Sequence, residues 1–255
     1  MFKIIDKKLL KKNFETSVLV PIRRDIRVYK MLDCLSRQKY ANFVLLIAND
    51  SKEPFLKKSD FPKNLSYIYY HDEDEKMMSY EKLNFLISQV KTEIAAILDS
   101  DAEPYDGWLE DLVPLAKKEK AVIKGREAEP IGWCAANLVF KTEILKENKF
   151  DEKLLVCADS ELGMRLEKKG YKLIIPDKGW VYHNMISSGI RLSRVIPPAK
   201  DDIYIALKYR STKFLIRKIF RNAYNVFHNG AQLGIYIVAW PYVALRNLIL
   251  GNKKP

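Results

Sequence analysis

The strongest constraint on the fold is a pair of aspartates at the end of an apolar run. Residues 94–98 read Ile-Ala-Ala-Ile-Leu, and Asp99, Ser100 and Asp101 follow at once. A short apolar run bounded by polar residues is typical of a strand buried in a sheet, and open α/β folds bind ligands at the carboxyl ends of such strands. The pattern therefore predicts an α/β protein with two carboxylates at its ligand-binding edge, where they suit a divalent cation.

Short β-rich runs alternate with helical stretches from residue 17 to about residue 177. Strands are predicted over residues 17–21, 43–48, 65–70, 94–98, 121–124, 137–140 and 171–175. Helices are predicted over residues 25–38, 79–90 and 159–169, and Gly170 is the expected left-handed cap of the last of these. Strands and helices that alternate at this spacing imply parallel βαβ units.

Length and cysteine content narrow the class of protein. A chain of 255 residues with 48% hydrophobic content can bury a large core. Its three cysteines, Cys34, Cys134 and Cys157, are widely spaced and form no CxxC pair, which favours neither a disulfide framework nor a zinc site. The first twelve residues lack the continuous apolar segment of a signal peptide, so we expect the chain to begin inside the cell.

Positive charge is concentrated near the carboxyl terminus. The formal net charge is +12, and nine basic residues but no acidic ones follow Asp202, so residues 1–202 carry only +3. This distribution predicts a local anionic partner and argues against a general nucleic-acid binder. Pro197 and Pro198 mark the expected boundary between a globular domain over residues 1–198 and a basic tail over residues 199–255.

Two parts of the tail carry different patterns. Residues 203–221 mix apolar and basic side chains as an amphipathic helix on a membrane surface does. Residues 231–250 are mostly apolar, include Trp240, and are interrupted by Pro241. Three interpretations stay open for this segment: an interfacial or re-entrant segment, a membrane span, or helices packed on the core.

Taken together, these runs resemble the inverting glycosyltransferases of family 2, which have the GT-A fold. The resemblance covers roughly residues 16–184. The segments that carry it are Ser17-Val18-Leu19-Val20-Pro21, Leu35 to Phe43, Asn49-Asp50-Ser51, Leu98 to Pro104, Phe150-Asp151-Glu152, Asp159-Ser160-Glu161-Leu162, Arg165-Leu166, Gly170-Tyr171 and His183. It implies an α/β nucleotide-binding half and an acceptor-binding half, followed here by amphipathic helices.

The resemblance also implies roles for the acidic residues. Asp101 and His183 are the expected ligands of Mn²⁺ or Mg²⁺. Asp99 and Ser100 are expected to contact the nucleotide sugar, Asp99 either at the ribose or by sharing the metal site. Asp159 stands where the family has its catalytic base, which removes the proton of the acceptor hydroxyl. The alternative readings are structural: a cap after the strand for the aspartates, an N-cap for Asp159, and a buried histidine.

Nucleotide and acceptor contacts follow from the same resemblance. Pro21, Arg23, Asn49 and Asp50 are expected to line the donor nucleotide. Asn49 stands where the family usually has Asp, which leaves the identity of the base open. The expected acceptor contacts are Trp133, whose ring can stack on a sugar or pack in the core, and Glu161, which is also a reserve candidate for the base.

The sequence thus predicts a metal-dependent enzyme that moves a sugar from a nucleotide-diphosphate sugar to a saccharide or polyprenyl-linked acceptor. Its basic tail predicts a peripheral position at the inner, cytoplasmic face of the cell membrane.

Two alternative functions remain open on the sequence. One is a catalytically degenerate GT-A subunit that only binds nucleotide or saccharide. The other is a nucleotidyltransferase, which would normally carry a Gly-rich phosphate loop that the segment Pro21–Asp25 lacks.

Overall fold

The structure is a computed structural model that describes residues 1–75, 79–118, 121–127, 136–183, 192–214, 216, 218 and 238–243. Strands in the described residues are β1 (Lys3–Lys8), β2 (Thr16–Ile22), β3 (Phe43–Asp50), β4 (Tyr67–Asp72), β5 (Ile94–Leu98), β6 (Ala102–Pro104), β7 (Ala121–Lys124), β8 (Asn137–Lys141), β9 (Lys172–Ile174) and β10 (Val181–His183). Helices are α1 (Val28–Ser36), α2 (Ser79–Gln89), α3 (Trp108–Lys118), α4 (Thr142–Glu147), α5 (Ala158–Lys168) and α6 (Leu192–Lys208).

The chain divides into two compact units. The first comprises Met1–Glu152 and Leu162–Met185, and the second comprises Lys153–Glu161 and Ile186–Pro255. Pro197 and Pro198, where the sequence predicts a domain boundary, lie inside α6.

The first unit is built on one mixed sheet with the strand order β1-β4-β3-β2-β5-β8-β7-β9. Strands β4, β3, β2 and β5 are parallel neighbours, whereas β8 runs antiparallel to both β5 and β7. Every residue of β2, β3 and β5 is buried. Parallel strands covered on both faces have such continuous apolar sequences, which is why the sequence predicts them well.

A separate two-stranded ribbon carries one side of the site. Strand β6 follows β5 almost directly, and β10 pairs with it antiparallel so that His183 lies opposite Ala102. Because Ala102 is next to Asp101 in the chain, this register brings His183 beside the aspartates that end β5.

Helix α3 anchors this region to the sheet. Trp108 at its start is fully buried, and its indole N–H donates a 2.7 Å hydrogen bond to Asn137 Oδ1 on β8. Gly170 has a φ of 83°, which confirms the left-handed cap expected after α5.

The second unit contains α6 and short helical segments. Ala199, Ala206 and Val243 form its buried apolar cluster, against which Ile203, Leu207 and Phe214 pack. The helix predicted over residues 203–221 is divided, because α6 ends at Lys208 and Arg210 adopts a φ of 48°.

Only residues 238–243 of the apolar segment 231–250 are described. They are helical, with Val243 buried and Val238, Trp240 and Tyr242 exposed. None of the helices in the described residues has both the length and the apolar character that crossing a bilayer requires.

Candidate functional site

Asp99, Asp101 and His183 converge at the carboxyl edge of the parallel strands. Nε2 of His183 lies 3.1 Å from Asp101 Oδ1 and 3.8 Å from Asp99 Oδ2. One donor atom from each of the three residues can be chosen so that all lie within 4.8 Å of one another. Two carboxylates and one imidazole, all partly exposed, are a donor set that fits a divalent cation.

The electrostatics of His183 depend on the carboxylates around it. The carboxylate of Asp101, which is hydrogen-bonded to the ring, and that of Glu127, which faces it, raise the pKa of His183 to about 10, although burial of the ring opposes the shift. The imidazole is therefore protonated at neutral pH when no cation is bound. A metal that takes Nε2 as a ligand must displace that proton.

Arg27 is a residue of this site that the sequence analysis missed. Its Nη1 lies 2.8 Å from Asp101 Oδ2, and its Nε and Nη2 donate hydrogen bonds of 2.9 and 2.6 Å to Asp25. Hydrogen bonding to Arg27 lowers the pKa of Asp25, whose carboxylate also contacts Ser100. The sequence feature that could have indicated Arg27 is its place in the chain. Arg27 follows β2, and the carboxyl end of β2 lies beside that of β5.

Glu127 was also missed, although it contacts the predicted ligand. Its Oε2 lies 3.8 Å from His183 Nδ1, and its Oε1 lies 3.1 Å from Lys124 Nζ. Burial would raise the pKa of Glu127, but the facing imidazole of His183 and the charge of Lys124 outweigh it, so the pKa is lowered.

The residues predicted to contact the nucleotide lie where β2 and β3 end. Asp50 is fully buried, accepts a 2.9 Å hydrogen bond from Arg23 Nη2, and is in contact with Lys82 Nζ. Burial lowers the pKa of Lys82, against the opposing effect of Asp50. Pro21 is buried within β2.

Asn49 is fully buried, and its side chain is used within the protein. Its Oδ1 accepts hydrogen bonds from Ser51 Oγ, Phe55 N and Tyr69 Oη at 2.9 to 3.0 Å, and its Nδ2 donates to the Arg23 carbonyl oxygen at 3.3 Å. These contacts tie the loop after β3 to β4 and to the loop after β2. The side chain of Asn49 therefore holds these loops together at the carboxyl end of β3.

Asp159 and Glu161 lie in the first turn of α5, in the second unit. Asp159 is half-buried, and its Oδ1 accepts a 2.6 Å hydrogen bond from the Ser160 N–H. Glu161 is fully buried and accepts hydrogen bonds from Lys208 Nζ at 2.8 Å and Tyr209 Oη at 2.5 Å. Glu161 thus forms buried hydrogen bonds inside the second unit.

An anionic side chain organises the loop before α5. The carboxylate of Asp201, which is 3% exposed, accepts hydrogen bonds from the backbone N–H groups of Leu155, Val156 and Cys157 at 2.6 to 3.1 Å. Asp201 is not among the residues that the sequence predicts for the site.

An open groove of about 630 Å³ lies beside the ribbon in the first unit. Helix α1 contributes Cys34 to it, and Arg37 follows at the end of that helix. Tyr105, Trp180 and Tyr182 line the groove and are 40%, 46% and 60% exposed. Exposed aromatic faces with polar neighbours are surfaces on which sugar rings can stack. Trp133, the predicted acceptor contact, lies outside the described residues.

A known protein family matches the part of the chain that contains Asp99 and Asp101. Residues 17–133 match the family described as Glycosyl transferase family 2. This part of the chain is a glycosyltransferase family 2 domain. The resemblance inferred from the sequence is therefore confirmed. No curated protein matches the chain.

Solved structures show that the chain has the GT-A fold. S. aureus TarS 1-349 superposes with a TM-score of 0.65 and 16% identity, over 93% of this chain and 83% of that one. A mannosyltransferase, PcManGT from Pyrobaculum calidifontis in complex with GDP-Man and Mn²⁺, has a TM-score of 0.63 and 15% identity, over 94% and 79% of the two chains. A longer TarS structure is matched over only 40% of its length.

Proposed function

We propose that this family 2 glycosyltransferase is a metal-dependent inverting enzyme that transfers a sugar from a nucleotide-diphosphate sugar to a saccharide or polyprenyl-linked acceptor. The observation that carries the proposal is the convergence of Asp99, Asp101 and His183 within 4.8 Å at the carboxyl edge of the sheet. Structural neighbours support a nucleotide-sugar donor, since they were solved with UDP, UDP-GlcNAc or GDP-Man.

The proposed cofactor is Mn²⁺ or Mg²⁺, held by Asp101 and His183 with Asp99 at the same site. Bound there, a divalent cation supplies Lewis-acid stabilisation of the charge that develops on the diphosphate leaving group. The nitrogen ligand favours Mn²⁺, because Mg²⁺ takes oxygen ligands.

The chain's own residues complete the proposed donor site. Arg27 holds Asp101 by one oxygen and leaves the other facing His183. Arg23, with a side chain 53% exposed, is the proposed contact for the donor at the end of β2, while buried Asp50 holds Arg23 in place. Asn49 and Pro21 shape this edge through their buried contacts.

The proposed chemistry is a single displacement. Asp159 is the proposed base: it removes the proton of the acceptor hydroxyl as that oxygen attacks the anomeric carbon, which inverts the configuration. The groove beside the ribbon, with Tyr105, Trp180 and Tyr182 exposed, supports a saccharide as part of the acceptor. We keep Trp133 as a further acceptor contact of this proposal.

The proposed site of action is the inner face of the cell membrane. A basic residue near an anionic leaflet gains about 1 kcal/mol. Of the nine basic residues after Asp202, Lys208 and Lys218 are paired inside the protein with Glu161 and Asp202, so the proposal depends on the others. Trp240 and Tyr242, both exposed on the helical segment 238–243, are of the type that lies at the level of the headgroups.

A thermal-shift screen with turnover assays tests the proposal. Nucleoside diphosphates and sugar nucleotides are added with and without Mn²⁺, and the ligand that raises the melting temperature most identifies the nucleotide. That donor is then incubated with Mn²⁺ and saccharide or polyprenyl-phosphate acceptors, and the anomeric configuration of the product is read by NMR. Donor binding without turnover on any acceptor would instead identify a binding subunit. A product with retained configuration would overturn the proposed mechanism.

A further inference from the structure

A buried ion pair lies directly behind the imidazole of His183. Lys124 is fully buried and Glu127 is 3% exposed, and the Nζ and Oε1 atoms that join them are 3.1 Å apart. Removing two charges from water costs several kcal/mol per ion, and replacing such a pair with apolar residues is often neutral or stabilising. A gain in stability therefore does not explain why this buried ion pair is present. The neighbours of the pair are a better guide to its role.

The backbone brings Glu127 to this position through a close approach of two segments. The Arg126 N–H donates to the Gly179 carbonyl oxygen at 3.0 Å, and the Val181 N–H donates to the Arg126 carbonyl oxygen at 2.8 Å. A Cβ atom on Gly125 would lie 2.4 Å from the Gly179 oxygen, so glycine is required there. The segment after β7 is thus fixed against the start of β10, which ends with His183.

His183 consequently lies between carboxylates on opposite sides of its ring. Nε2 faces Asp101 at 3.1 Å, whereas Nδ1 faces Glu127 Oε2 at 3.8 Å. Histidines that bind metals commonly direct their second nitrogen to a carboxylate, which fixes the orientation of the ring. Nδ1 is buried and makes no ordinary hydrogen bond to the described residues, and the carboxylate of Glu127, 3.8 Å away, is the acceptor placed to satisfy it.

We propose that Glu127 is a positioning residue: its carboxylate accepts the hydrogen bond of His183 Nδ1–H and thereby keeps Nε2 facing Asp99 and Asp101. Lys124 holds Glu127 from the opposite side. The inference rests on the proposed function only for the ion that Nε2 would bind. The orientation of the ring is a property of the chain without metal.

A double-mutant cycle tests the orientation in the metal-free protein. Urea denaturation is measured for the wild type, Glu127→Gln, His183→Gln and the double variant. We expect the double variant to lose less stability than the sum of the two single losses, because each single change already removes the shared contact. Strictly additive losses would show that the two side chains do not interact and would overturn the proposal.

Mn²⁺ affinity, read from the EPR signal of the free ion, tests the consequence. Glu127→Gln is expected to weaken Mn²⁺ binding by about 10 to 100-fold. Glu127→Asp keeps the charge and the pairing partner but shortens the side chain by one methylene, so it is also expected to weaken binding. It serves as the second variant if Glu127→Gln does not fold.

Glu103→Gln is the matched control. Glu103 lies on the same ribbon and pairs with Lys30 Nζ at 2.7 Å. Equal losses of Mn²⁺ affinity for Glu103→Gln and Glu127→Gln would trace the effect to total charge and overturn the positioning role. If the wild type binds no Mn²⁺, the metal in the proposed function is wrong, while the double-mutant cycle still decides the role of Glu127.

Discussion

Arg27 Nη1 lies 2.8 Å from Oδ2 of Asp101, so a cation from the loop after β2 holds one oxygen of a proposed metal ligand. The same guanidinium binds Asp25 through two hydrogen bonds. Arg27 thereby balances the negative charge of this edge when no divalent cation is present.

Replacing Arg27 should shift the balance between the protein and its metal. In Arg27→Gln, Asp25 and Asp101 lose their shared cation, so we expect a lower melting temperature without metal and a larger rise on addition of Mn²⁺ than in the wild type. Differential scanning fluorimetry measures both. Arg24→Gln is the control, since Arg24 lies in the same loop and pairs with Glu75. An unchanged response to Mn²⁺ in Arg27→Gln would contradict the prediction.

Mn²⁺ binding should release a proton from His183. The folded-state pKa of about 10 lies above the ordinary value of about 6.5, so the protonated form predominates below pH 10 and competes with the metal. The apparent affinity should therefore rise about tenfold per pH unit between about pH 7 and 9. Calorimetry in buffers of different ionisation enthalpy counts the protons, and His183→Ala should remove this release.

The same pKa shift has a consequence for stability without metal. Because the folded pKa is raised, protonated His183 contributes stability that is fully present below about pH 6.5 and is lost as the pH rises towards 10. Urea denaturation of the metal-free protein should show this decline in the wild type. His183→Gln should show a flatter profile over that interval, and an equally steep profile in this variant would argue against the assignment.

Asp159→Asn should separate turnover from binding. An amide cannot accept the proton of the acceptor hydroxyl, and loss of a general base typically lowers the rate by about 10² to 10⁴-fold. Mn²⁺-dependent donor binding should be unchanged in the same variant. Ser160→Ala, which alters the neighbouring side chain, should keep its turnover. Full activity of Asp159→Asn would assign the base elsewhere.

The exposed aromatic residues of the groove should affect the acceptor more than the donor. Trp180→Ala removes a ring that is 46% exposed, and stacking on such a ring is worth about 1 kcal/mol, so the KM for a saccharide acceptor should rise about fivefold. Tyr29→Ala, which removes a 43% exposed ring outside the groove, should leave that KM unchanged. A rise in the donor KM alone would argue against an acceptor groove.

The buried strands could be predicted from the sequence because their apolar runs are continuous. Strands β2, β3 and β5 agree with their predicted positions within two residues. Strand β1 was not predicted, since its lysines and exposed isoleucines lie at the edge of the sheet and leave no pattern of one buried face. The ribbon strands β6 and β10 have three residues each, too few for any periodicity.

For the site, the sequence pointed to the residues whose chemistry is visible locally and missed those that depend on long-range pairing. Asp99 and Asp101 follow a buried strand, and His183 was found through the resemblance. No local sequence pattern indicates Arg27 or Glu127, because their roles arise from contacts with Asp101 and His183 in distant segments of the chain. The signal for Glu127 was the sequence Lys-Gly-Arg-Glu at the end of β7, whose glycine permits two segments to approach closely.

The strand order limits how far the polypeptide can be shortened. Strand β8 lies between β5 and β7, yet it follows β7 in the chain and lies beyond residue 133, where the family match ends. A fragment truncated at that residue would leave a gap in the middle of the sheet and would lack His183. Recombinant pieces intended for ion-binding experiments must therefore extend past β10, even though the recognisable family signature is much shorter.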